Sequence, residues 1–298
     1  MIKTVDVRHK TFENYILLLG FFDCLHSGHI ALIKEARKLA ESCRSKVAML
    51  TFTNDPAFVL GDSCGSVFTF LERVKKAERL GVDCILYSEF DEGFKKLSFG
   101  DFFNLITENH AVKGIVCGYD FTYGANAEGN VKTLQAQCDD RGIILKAVGK
   151  QSANGERIST TLIKKYLSVG NVEAANELLC EPYSLIGEVE HGRQIGRTIG
   201  FPTANIEIPT GKMPIRSGVY KTFAEIDGKI YNGITNYGDR PTFSLDKVLT
   251  ETYFDGFNGD IYGQELCVYF DKYIRPVKKF ENAEELSEQL KKDLENIR

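Results

Sequence analysis

The segment YILLLGFFDCLHSGH, residues 15–29, decides the fold of the first half of the chain. It opens with an apolar run that is typical of a strand buried on both faces of a parallel sheet. A glycine turn and two histidines spaced H-x-G-H follow, where a helix is expected to begin. The free N–H groups and positive dipole end of a helix start attract phosphate. The segment is therefore either a strand-to-helix turn with incidental histidines or a phosphate site.

Outward from this segment, strand-like and helix-like stretches alternate. The sequence predicts strands at 15–22, 47–52, 84–87, 115–121 and 143–148. It predicts helices at 29–42, 68–81, 99–110 and 131–142. Alternation of this kind indicates βαβ units and a parallel sheet covered by helices on both faces. Ligands of such α/β domains bind at the carboxyl ends of the strands, which is where H-x-G-H lies.

The pattern changes after about residue 150. Residues 157–179 read as two short helices around Gly170 and Asn171. From Tyr183 onward, short strands alternate with glycine turns, which predicts a small closed or nearly closed β-barrel. A final amphipathic helix at about 282–297 is expected to pack on the barrel through Ala283, Leu286, Leu290 and Leu294. We place the domain boundary so that the domains are 1–180 and 181–298.

Composition narrows the classes of function. Hydrophobic residues make up 43% and charged residues 26%, as in ordinary globular proteins, and the net charge of −4 argues against general nucleic-acid binding. Apolar runs fall short of the roughly 18 residues of a membrane span, and the first ten residues do not resemble a signal peptide. The eight cysteines include no C-x-x-C pair, which argues against a zinc site. We expect reduced thiols and a cytoplasmic protein.

The first candidate site centres on His26 and His29, whose side chains can donate hydrogen bonds to phosphate oxygens. Gly20 and Gly28 allow the backbone to approach a ligand closely. An H-x-G-H motif after the first strand resembles the nucleotidyltransferase superfamily. Enzymes of that superfamily transfer a nucleotidyl group from a nucleoside triphosphate and release pyrophosphate.

Three further motifs extend the resemblance. RISTTLIK (157–164) is similar to the ISST-x-IR motif of bacterial FAD synthetases, TFTNDP (51–56) to their TF-x-P-x-P, and GYDFTYGANAEGN (118–130) to their G-x-DF-x-FG…G. Over the whole chain, the resemblance is to the bifunctional bacterial riboflavin kinase/FMN adenylyltransferase family. It implies His26 and His29 as catalytic residues and Asp120 as a flavin or nucleotide contact. It implies ATP or phosphate contacts by Gly20, Phe22, Asp23, Gly28, Arg157, Ser159, Thr160 and Lys164.

The first half departs from the family pattern at several positions. Phe21 replaces an asparagine, Asn54 replaces a proline, and Asp55 adds a carboxylate that would repel a triphosphate. Lys164 replaces an arginine and loses its bidentate fork, whereas Thr160 replaces a serine and keeps the hydroxyl. These departures favour the alternative of a weakened or inactive adenylyltransferase.

The second candidate site begins with HGRQIGRTIGFPTAN (191–205). Its glycine run alone is equally typical of a plain loop. The segment resembles the G-x-x-x-GFPTAN motif of riboflavin kinases, which are small β-barrels. The resemblance implies that Gly192, Gly196 and Gly200 cover the ATP phosphates. It also implies that Thr203 and Asn205 hold Mg²⁺, and that Asn205 contacts phosphate.

The candidate catalytic carboxylate of this site comes from ETYFDGFNGDIYG (251–263), which resembles the kinase motif that supplies the catalytic acid. Phosphorylation of a hydroxyl needs a group that accepts its proton, and Glu251 falls at that position. GITNYGDRPTF (233–243) and YIRPVKKF (273–280) also match kinase motifs. They imply Asn236 and Arg275 as flavin or nucleotide contacts, although Arg275 could equally pair with a surface acid.

The leading hypothesis is therefore an enzyme of two domains. A Rossmann-like α/β nucleotidyltransferase domain with a parallel sheet precedes a small β-barrel riboflavin kinase domain with a C-terminal helix. The barrel converts riboflavin and MgATP to FMN, and the first domain converts FMN and MgATP to FAD and pyrophosphate. The implied cofactor is Mg²⁺, the partners are riboflavin, FMN and ATP, and neither nucleic acid nor membrane is expected. Two alternatives stay open: a riboflavin kinase with an inactive adenylyltransferase domain, and a non-catalytic flavin-binding regulator.

Overall fold

The computed structural model describes residues 2–61, 64–150, 152–153, 156–191, 201–238, 249–295 and 297. The chain forms two compact units, Met1–Thr160 and Thr161–Arg298. Among the described residues, no helix combines the length and apolar character needed to cross a bilayer.

The first unit alternates strands with helices. In chain order it contains β1 (Lys3–Asp6), β2 (Asn14–Leu19), α1 (Ser27–Cys43), β3 (Lys46–Phe52), α2 (Pro56–Leu60), α3 (Phe70–Arg79), β4 (Cys84–Ser88), α4 (Glu92–Lys95), α5 (Phe99–Glu108), β5 (Ala111–Gly118), β6 (Thr122–Tyr123), a 3₁₀ turn (Ala125–Ala127), β7 (Gly129–Asn130), α6 (Val131–Arg141), β8 (Ile144–Val148), β9 (Ser152–Ala153) and β10 (Glu156–Arg157).

Six of these strands form one parallel sheet in the order β1-β4-β3-β2-β5-β8. After β2, the chain adds β3 on one side of β2 and later adds β5 on its other side. A crevice for a ligand therefore opens at the carboxyl ends of β2 and β5. Almost every residue of β2 and β3 is buried, as their near-continuous apolar sequences predict.

Several boundaries differ from the predicted ones. β2 ends at Leu19 rather than at residue 22, because Gly20 begins the turn, and α1 begins at Ser27 with His26 as its N-cap. β5 starts earlier and ends at Gly118. The edge strand β1 and the short helices α2 and α4 were not predicted, because four or five residues carry too little periodicity.

The second unit begins with two short helices and continues as a barrel. Its elements are α7 (Thr160–Ser168), α8 (Val172–Leu178), β11 (Ser184–Glu190), β12 (Thr203–Glu207), β13 (Gly218–Ile226), β14 (Lys229–Tyr237), β15 (Leu249–Phe254), β16 (Glu265–Arg275) and α9 (Ala283–Glu295). The six strands close in the order β11-β12-β15-β14-β13-β16, with antiparallel neighbours throughout.

The two faces of the barrel wall differ in chemistry. On one face, the hydroxyls of Thr222, Thr235 and Thr252 form a fully buried chain, with 2.8 Å between successive oxygens. On the opposite face, Leu290 and Leu294 of α9 join an apolar cluster with Val219, Ile234 and Phe201. The predicted packing of the C-terminal helix through Leu290 and Leu294 is therefore confirmed.

Both halves of the predicted fold are confirmed: an α/β domain with a parallel sheet, then a closed β-barrel with a C-terminal helix. The boundary at 180/181 stays a prediction. The compact units divide between Thr160 and Thr161.

Candidate active sites

The first unit contains a cavity of about 270 Å³ at the carboxyl ends of β2, β5 and β8. This volume approaches the lower end of the roughly 300–1,000 Å³ that is typical of ligand pockets. The predicted site residues in its lining are Gly20, His26, Gly28, His29, Asp120, Ser159 and Thr160. Motifs far apart in the chain therefore meet at the crevice where the sheet topology predicts a ligand.

The H-x-G-H turn is held in an unusual backbone conformation. Phe22 and Leu25 have φ angles of 56° and 44°, in the left-handed region that side chains disfavour. His26 then caps α1, since its Nδ1 accepts a hydrogen bond from the His29 amide at 3.3 Å. The two imidazoles stack face to face, with ring centroids 3.8 Å apart. The turn therefore presents both histidines as a stacked pair at the start of a helix.

His29 is neutral at physiological pH. Desolvation in its packed surroundings, which include the Phe22 ring at 5.0 Å, lowers the pKa of His29 well below the ordinary value, and nearby His26 lowers it further. Its buried Nδ1 has no hydrogen-bond partner among the described residues. His29 can therefore donate or accept a hydrogen bond without contributing a fixed positive charge.

Phe22 and Asp23 lie beneath the cavity rather than in its lining. The Phe22 side chain is 1% exposed, and the Asp23 carboxylate accepts a hydrogen bond from the Val67 amide at 2.8 Å. Gly20 has little room for a side chain, because an added Cβ would lie 3.1 Å from the Phe22 ring. In this structure Phe22 packs against the His29 ring, and Asp23 links the turn to the Val67 backbone.

Sequence reasoning missed a brace under the same turn. Arg73 of α3 is 1% exposed and donates to the carbonyls of Phe21 at 3.1 Å and Phe52 at 2.7 Å, and also to the Thr51 hydroxyl. Thr51 in turn donates to the Phe21 carbonyl at 2.7 Å. Burial lowers the pKa of Arg73 to about 10, so it stays charged at neutral pH. In the sequence, Arg73 is a positively charged residue at helical spacing from Phe70 and Ala77, on a helix face that is otherwise apolar.

Three side chains that depart from the family pattern make specific contacts in this chain. The Asn54 side chain donates to the Phe90 carbonyl at 2.9 Å and accepts from the Phe90 amide at 2.8 Å. Asp55 caps α2 by accepting from the Ala57 amide at 3.0 Å. The ring of Phe21 lies under the Arg73 guanidinium at 4.8 Å. None of these three departures lines the cavity.

The opposite wall of the cavity carries hydroxyls and a cation. Ser159 and Thr160 line it, and the Thr160 hydroxyl lies 3.3 Å from the Cys24 thiol at the base of the histidine turn. Lys150, which follows β8, also lines the cavity and was not predicted. Arg157 lies in β10, and Lys164 lies in α7 within the second compact unit.

In the second unit, three predicted residues lie side by side on adjacent strands. Glu251 of β15 pairs with Asn205 of β12 on one side and with Asn236 of β14 on the other. Directly paired residues of antiparallel strands project to the same face, so the three side chains form one row. The buried Oδ1 of Asn236 has no hydrogen-bond partner among the described residues, which fits contact with a ligand donor.

Thr203 extends this row with a further oxygen donor. It lies two residues before Asn205 on β12 and therefore projects from the same face. A threonine hydroxyl, an amide carbonyl and the nearby Glu251 carboxylate are the hard oxygen ligands that suit Mg²⁺. The donor set present in the barrel therefore fits the implied metal.

Arg275 is bound by an acid on the C-terminal helix. Its guanidinium makes a bidentate contact with Asp293, with Nε to Oδ1 at 3.0 Å and Nη2 to Oδ2 at 2.7 Å. The Asp293 side chain is 1% exposed. Of the two roles considered for Arg275, the structure displays pairing with an acid, and contact with flavin or nucleotide stays a prediction.

The glycines of the predicted phosphate loop, Gly192, Gly196 and Gly200, lie outside the described residues. The RPTF portion of the 233–243 motif also lies outside them.

Comparison with known proteins matches each half of the chain to a different family model. Residues 8–162 match the family model for FAD synthetase, and residues 179–298 match that for riboflavin kinase. A bifunctional riboflavin kinase/FMN adenylyltransferase from Listeria monocytogenes is 36% identical, with 100% of this chain and 98% of that protein covered. Proteins of the same name from Bacillus subtilis and Escherichia coli K12 are 36% and 31% identical, with 98% and 94% of this chain and 96% and 91% of those proteins covered.

A solved structure has the same fold over its full length. It is described as a macrolide-efflux protein from Streptococcus pneumoniae, is 30% identical, and superposes with a TM-score of 0.87 over 100% of this chain and 99% of that chain. With one family model covering each half, and relatives aligned from end to end, the chain belongs to the bifunctional riboflavin kinase/FMN adenylyltransferase family.

Proposed function

We propose that this chain makes FAD from riboflavin in two ATP-dependent reactions at two separate sites. The barrel phosphorylates riboflavin to FMN and releases ADP. The α/β domain transfers AMP from a second ATP to FMN and releases pyrophosphate. The observation that carries the proposal is the convergence of each predicted motif set, His26, His29, Ser159 and Thr160 in one domain and Asn205, Asn236 and Glu251 in the other.

In adenylyl transfer, a phosphate oxygen of FMN attacks the α-phosphorus of ATP, and the bond from that phosphorus to the β-phosphate oxygen breaks. Negative charge builds on the pyrophosphate that leaves with the bonding electrons. His26 and His29 donate hydrogen bonds to phosphate oxygens from the start of α1, where the helix dipole also favours negative charge. Because His29 is neutral, the pair contributes directed donors rather than two full charges.

The leaving pyrophosphate needs further partners. We assign this role to Ser159, Thr160, Arg157 and Lys164, the residues of the downstream motif, and we add Lys150 because it lines the same cavity. Asp120 at the carboxyl end of β5 contacts the nucleotide or FMN.

In the kinase reaction, Glu251 accepts the proton of the ribityl hydroxyl as its oxygen attacks the γ-phosphorus of ATP. Thr203 and Asn205 hold Mg²⁺, which neutralises charge on the ATP phosphates when bound. Asn236 hydrogen-bonds flavin or nucleotide through its buried amide oxygen. We keep the predictions that the enzyme works in the cytoplasm and takes no nucleic-acid partner.

Two parallel incubations of the chain with MgATP test the proposal, one supplied with riboflavin and one with FMN, with products separated by chromatography. We expect FMN and FAD in the first and FAD in the second. FMN without FAD in either tube would support the alternative of a kinase joined to an inactive adenylyltransferase domain. No conversion of riboflavin would support the non-catalytic regulator.

A further inference from the structure

The base of the H-x-G-H turn gathers three side chains that can bind a transition metal. Cys24, His26 and His29 each offer one ligand atom, and these atoms all lie within 4.8 Å of one another. Within the part of the chain that the structure describes, no other group of three or more histidine, cysteine or carboxylate side chains meets this criterion. The absence of C-x-x-C pairs therefore did not rule out such a cluster, because the turn brings together a C-x-H-x-x-H spacing.

The ligand atoms, which all lie within 4.8 Å of one another, draw closer when they form a tetrahedral site. Bond lengths of about 2.0–2.1 Å to nitrogen and about 2.3 Å to sulfur require ligand atoms roughly 3.4 Å apart. The imidazoles of His26 and His29 stack face to face with their planes 6° apart, so their nitrogen lone pairs lie in nearly parallel planes and one ring must turn before both can bind the same ion. A rotation of one ring together with a shift of about one ångström in the ligand atoms completes the geometry and leaves a fourth position for water or another ligand.

The chemistry of the three ligands selects one class of metal ion. Thiolate and imidazole favour zinc and similar thiophilic ions, whereas Mg²⁺ prefers oxygen ligands and keeps its water. The Cys24 thiol loses its proton on binding, which supplies a negative charge opposite the ion. The buried Nδ1 of His29, without a hydrogen-bond partner among the described residues, is a ready acceptor for the same ion.

A bound ion conflicts with the role of His26 toward phosphate. Because Nδ1 of His26 accepts the His29 amide proton, its own proton lies on Nε2, the nitrogen left for the ligand. A metal at Nε2 replaces that donor, and a metal at Nδ1 breaks the helix cap. Either position disables the pair that contacts ATP.

We propose that Cys24, His26 and His29 bind one thiophilic divalent metal ion, such as Zn²⁺, and that the bound ion inhibits adenylyl transfer. The inference that a metal binds depends on the cluster alone, whereas the inference that it inhibits rests on the proposed adenylyltransferase function.

Direct binding is tested on the full-length, reduced, metal-free protein with Co²⁺ as a spectroscopic probe. We expect one equivalent to bind with a thiolate-to-cobalt charge-transfer band. Cys24→Ser and Cys24→Ala should lose the band and bind at least about tenfold more weakly. Cys43→Ser, at the C-terminal end of α1, is the matched control and should bind like the parent chain. Equal binding without the band in the parent and both Cys24 variants overturns the site.

Inhibition is tested by FAD formation from FMN and MgATP, with and without Zn²⁺. We expect the parent chain and Cys43→Ser to be inhibited and a chelator to restore them, while both Cys24 variants keep their activity in Zn²⁺. Equal inhibition of all four proteins would show that an ion bound at this cluster does not cause the inhibition. If the metal-free parent makes no FAD, the proposed function has failed, and the Co²⁺ titration still decides the binding site. Thermal unfolding of both Cys24 variants confirms that they are folded.

Discussion

His26 caps α1 through Nδ1. In the proposed reaction its second nitrogen, Nε2, donates a hydrogen bond to phosphate. His29 stacks on it as a neutral ring. Alanine at either position removes a donor aimed at charge that develops during adenylyl transfer. We expect FAD formation from FMN to fall by about 10²–10³-fold for each variant.

Both variants should keep riboflavin phosphorylation at the parent rate, since the barrel does not use these residues. His9→Ala, at an exposed histidine, is the matched control and should leave both rates unchanged. Unchanged FAD formation in His26→Ala and His29→Ala would remove the histidines from the mechanism. Steady-state rates of both reactions provide the measurement.

Glu251 is the corresponding residue of the barrel. Glu251→Gln keeps the size of the side chain but cannot accept the proton of the ribityl hydroxyl. We expect riboflavin phosphorylation to fall by about 10²–10⁴-fold, with FAD formation from added FMN unchanged. Glu225→Gln, at an exposed glutamate of β13, is the control. Parent-like phosphorylation in Glu251→Gln would show that another group accepts the proton.

Helix α3 connects the carboxyl ends of β2 and β3 through one residue. Arg73→Met removes the buried cation and its hydrogen bonds to the Phe21 and Phe52 carbonyls, and the Phe21 carbonyl then keeps the bond from the Thr51 hydroxyl. We expect the free energy of unfolding of the α/β domain to fall by about 3 kcal/mol. We also expect a higher KM for ATP in FAD formation, because the histidine turn loses its brace.

Urea unfolding followed by circular dichroism, together with steady-state kinetics, measures both effects. Arg79→Met changes an exposed arginine at the end of the same helix and should shift stability by less than about 0.5 kcal/mol. Equal stability of Arg73→Met and Arg79→Met would contradict the assignment of Arg73 as a brace.

Helix α9 is held on the barrel by the pair of Arg275 and Asp293 together with Leu290 and Leu294. Asp293→Asn keeps the shape but leaves a largely buried guanidinium without its counter-charge, since only 19% of the Arg275 side chain is exposed. We expect a loss of about 3 kcal/mol in barrel stability.

The pair of Lys221 and Asp271 is more exposed than that of Arg275 and Asp293 and offers the contrast, since Asp271→Asn should cost less than about 1 kcal/mol. Denaturant unfolding of both variants measures the difference. A similar small loss in both would mean that α9 is held by its apolar contacts alone.

The acid sensitivity of the whole molecule should originate in the α/β domain. His110 is buried, its Nε2 donates to the Val7 carbonyl at 2.9 Å, and its Nδ1 accepts from the Thr11 hydroxyl at 2.8 Å. Burial lowers the pKa of His110 below its ordinary 6.5, although the bond to Val7 opposes the shift. Between that lowered pKa and about 6.5, the unfolded chain therefore binds more protons than the folded one.

Stability should consequently decline as pH falls below about 6.5 and should not depend on His110 above it. The slope from this residue is at most about 1.4 kcal/mol per pH unit. Chemical unfolding between pH 5 and pH 8, in steps of about half a unit, should show a shallower dependence for His110→Asn than for the parent chain. His9→Asn, at an exposed site, should keep the parent slope. Identical slopes in all three proteins would exclude His110 as the source.

The overall architecture could be predicted because strand and helix periods alternate in one half, and short glycine-bounded strands fill the other. The meeting of His26, His29 and Asp120 at one cavity could also be predicted, because carboxyl ends of parallel strands meet at one edge of the sheet. Arg73 could not be predicted as a brace, because its partners are backbone carbonyls that carry no signal in the sequence. Asn54 and Asp55 departed from the motif, but Asn54 bonds to the Phe90 backbone, which is distant in the sequence, and Asp55 caps the short helix α2.

The central claim is that one chain holds two independent active sites, and a mixing experiment tests it most directly. His26→Ala and Glu251→Gln are each incubated with riboflavin and MgATP, alone and together, and FAD is measured. We expect FMN but little FAD from the first variant, little of either from the second, and FAD at a near-parent rate from the mixture. If the mixture makes no more FAD than the separate variants, or if one variant abolishes both reactions, the assignment of the two sites is wrong.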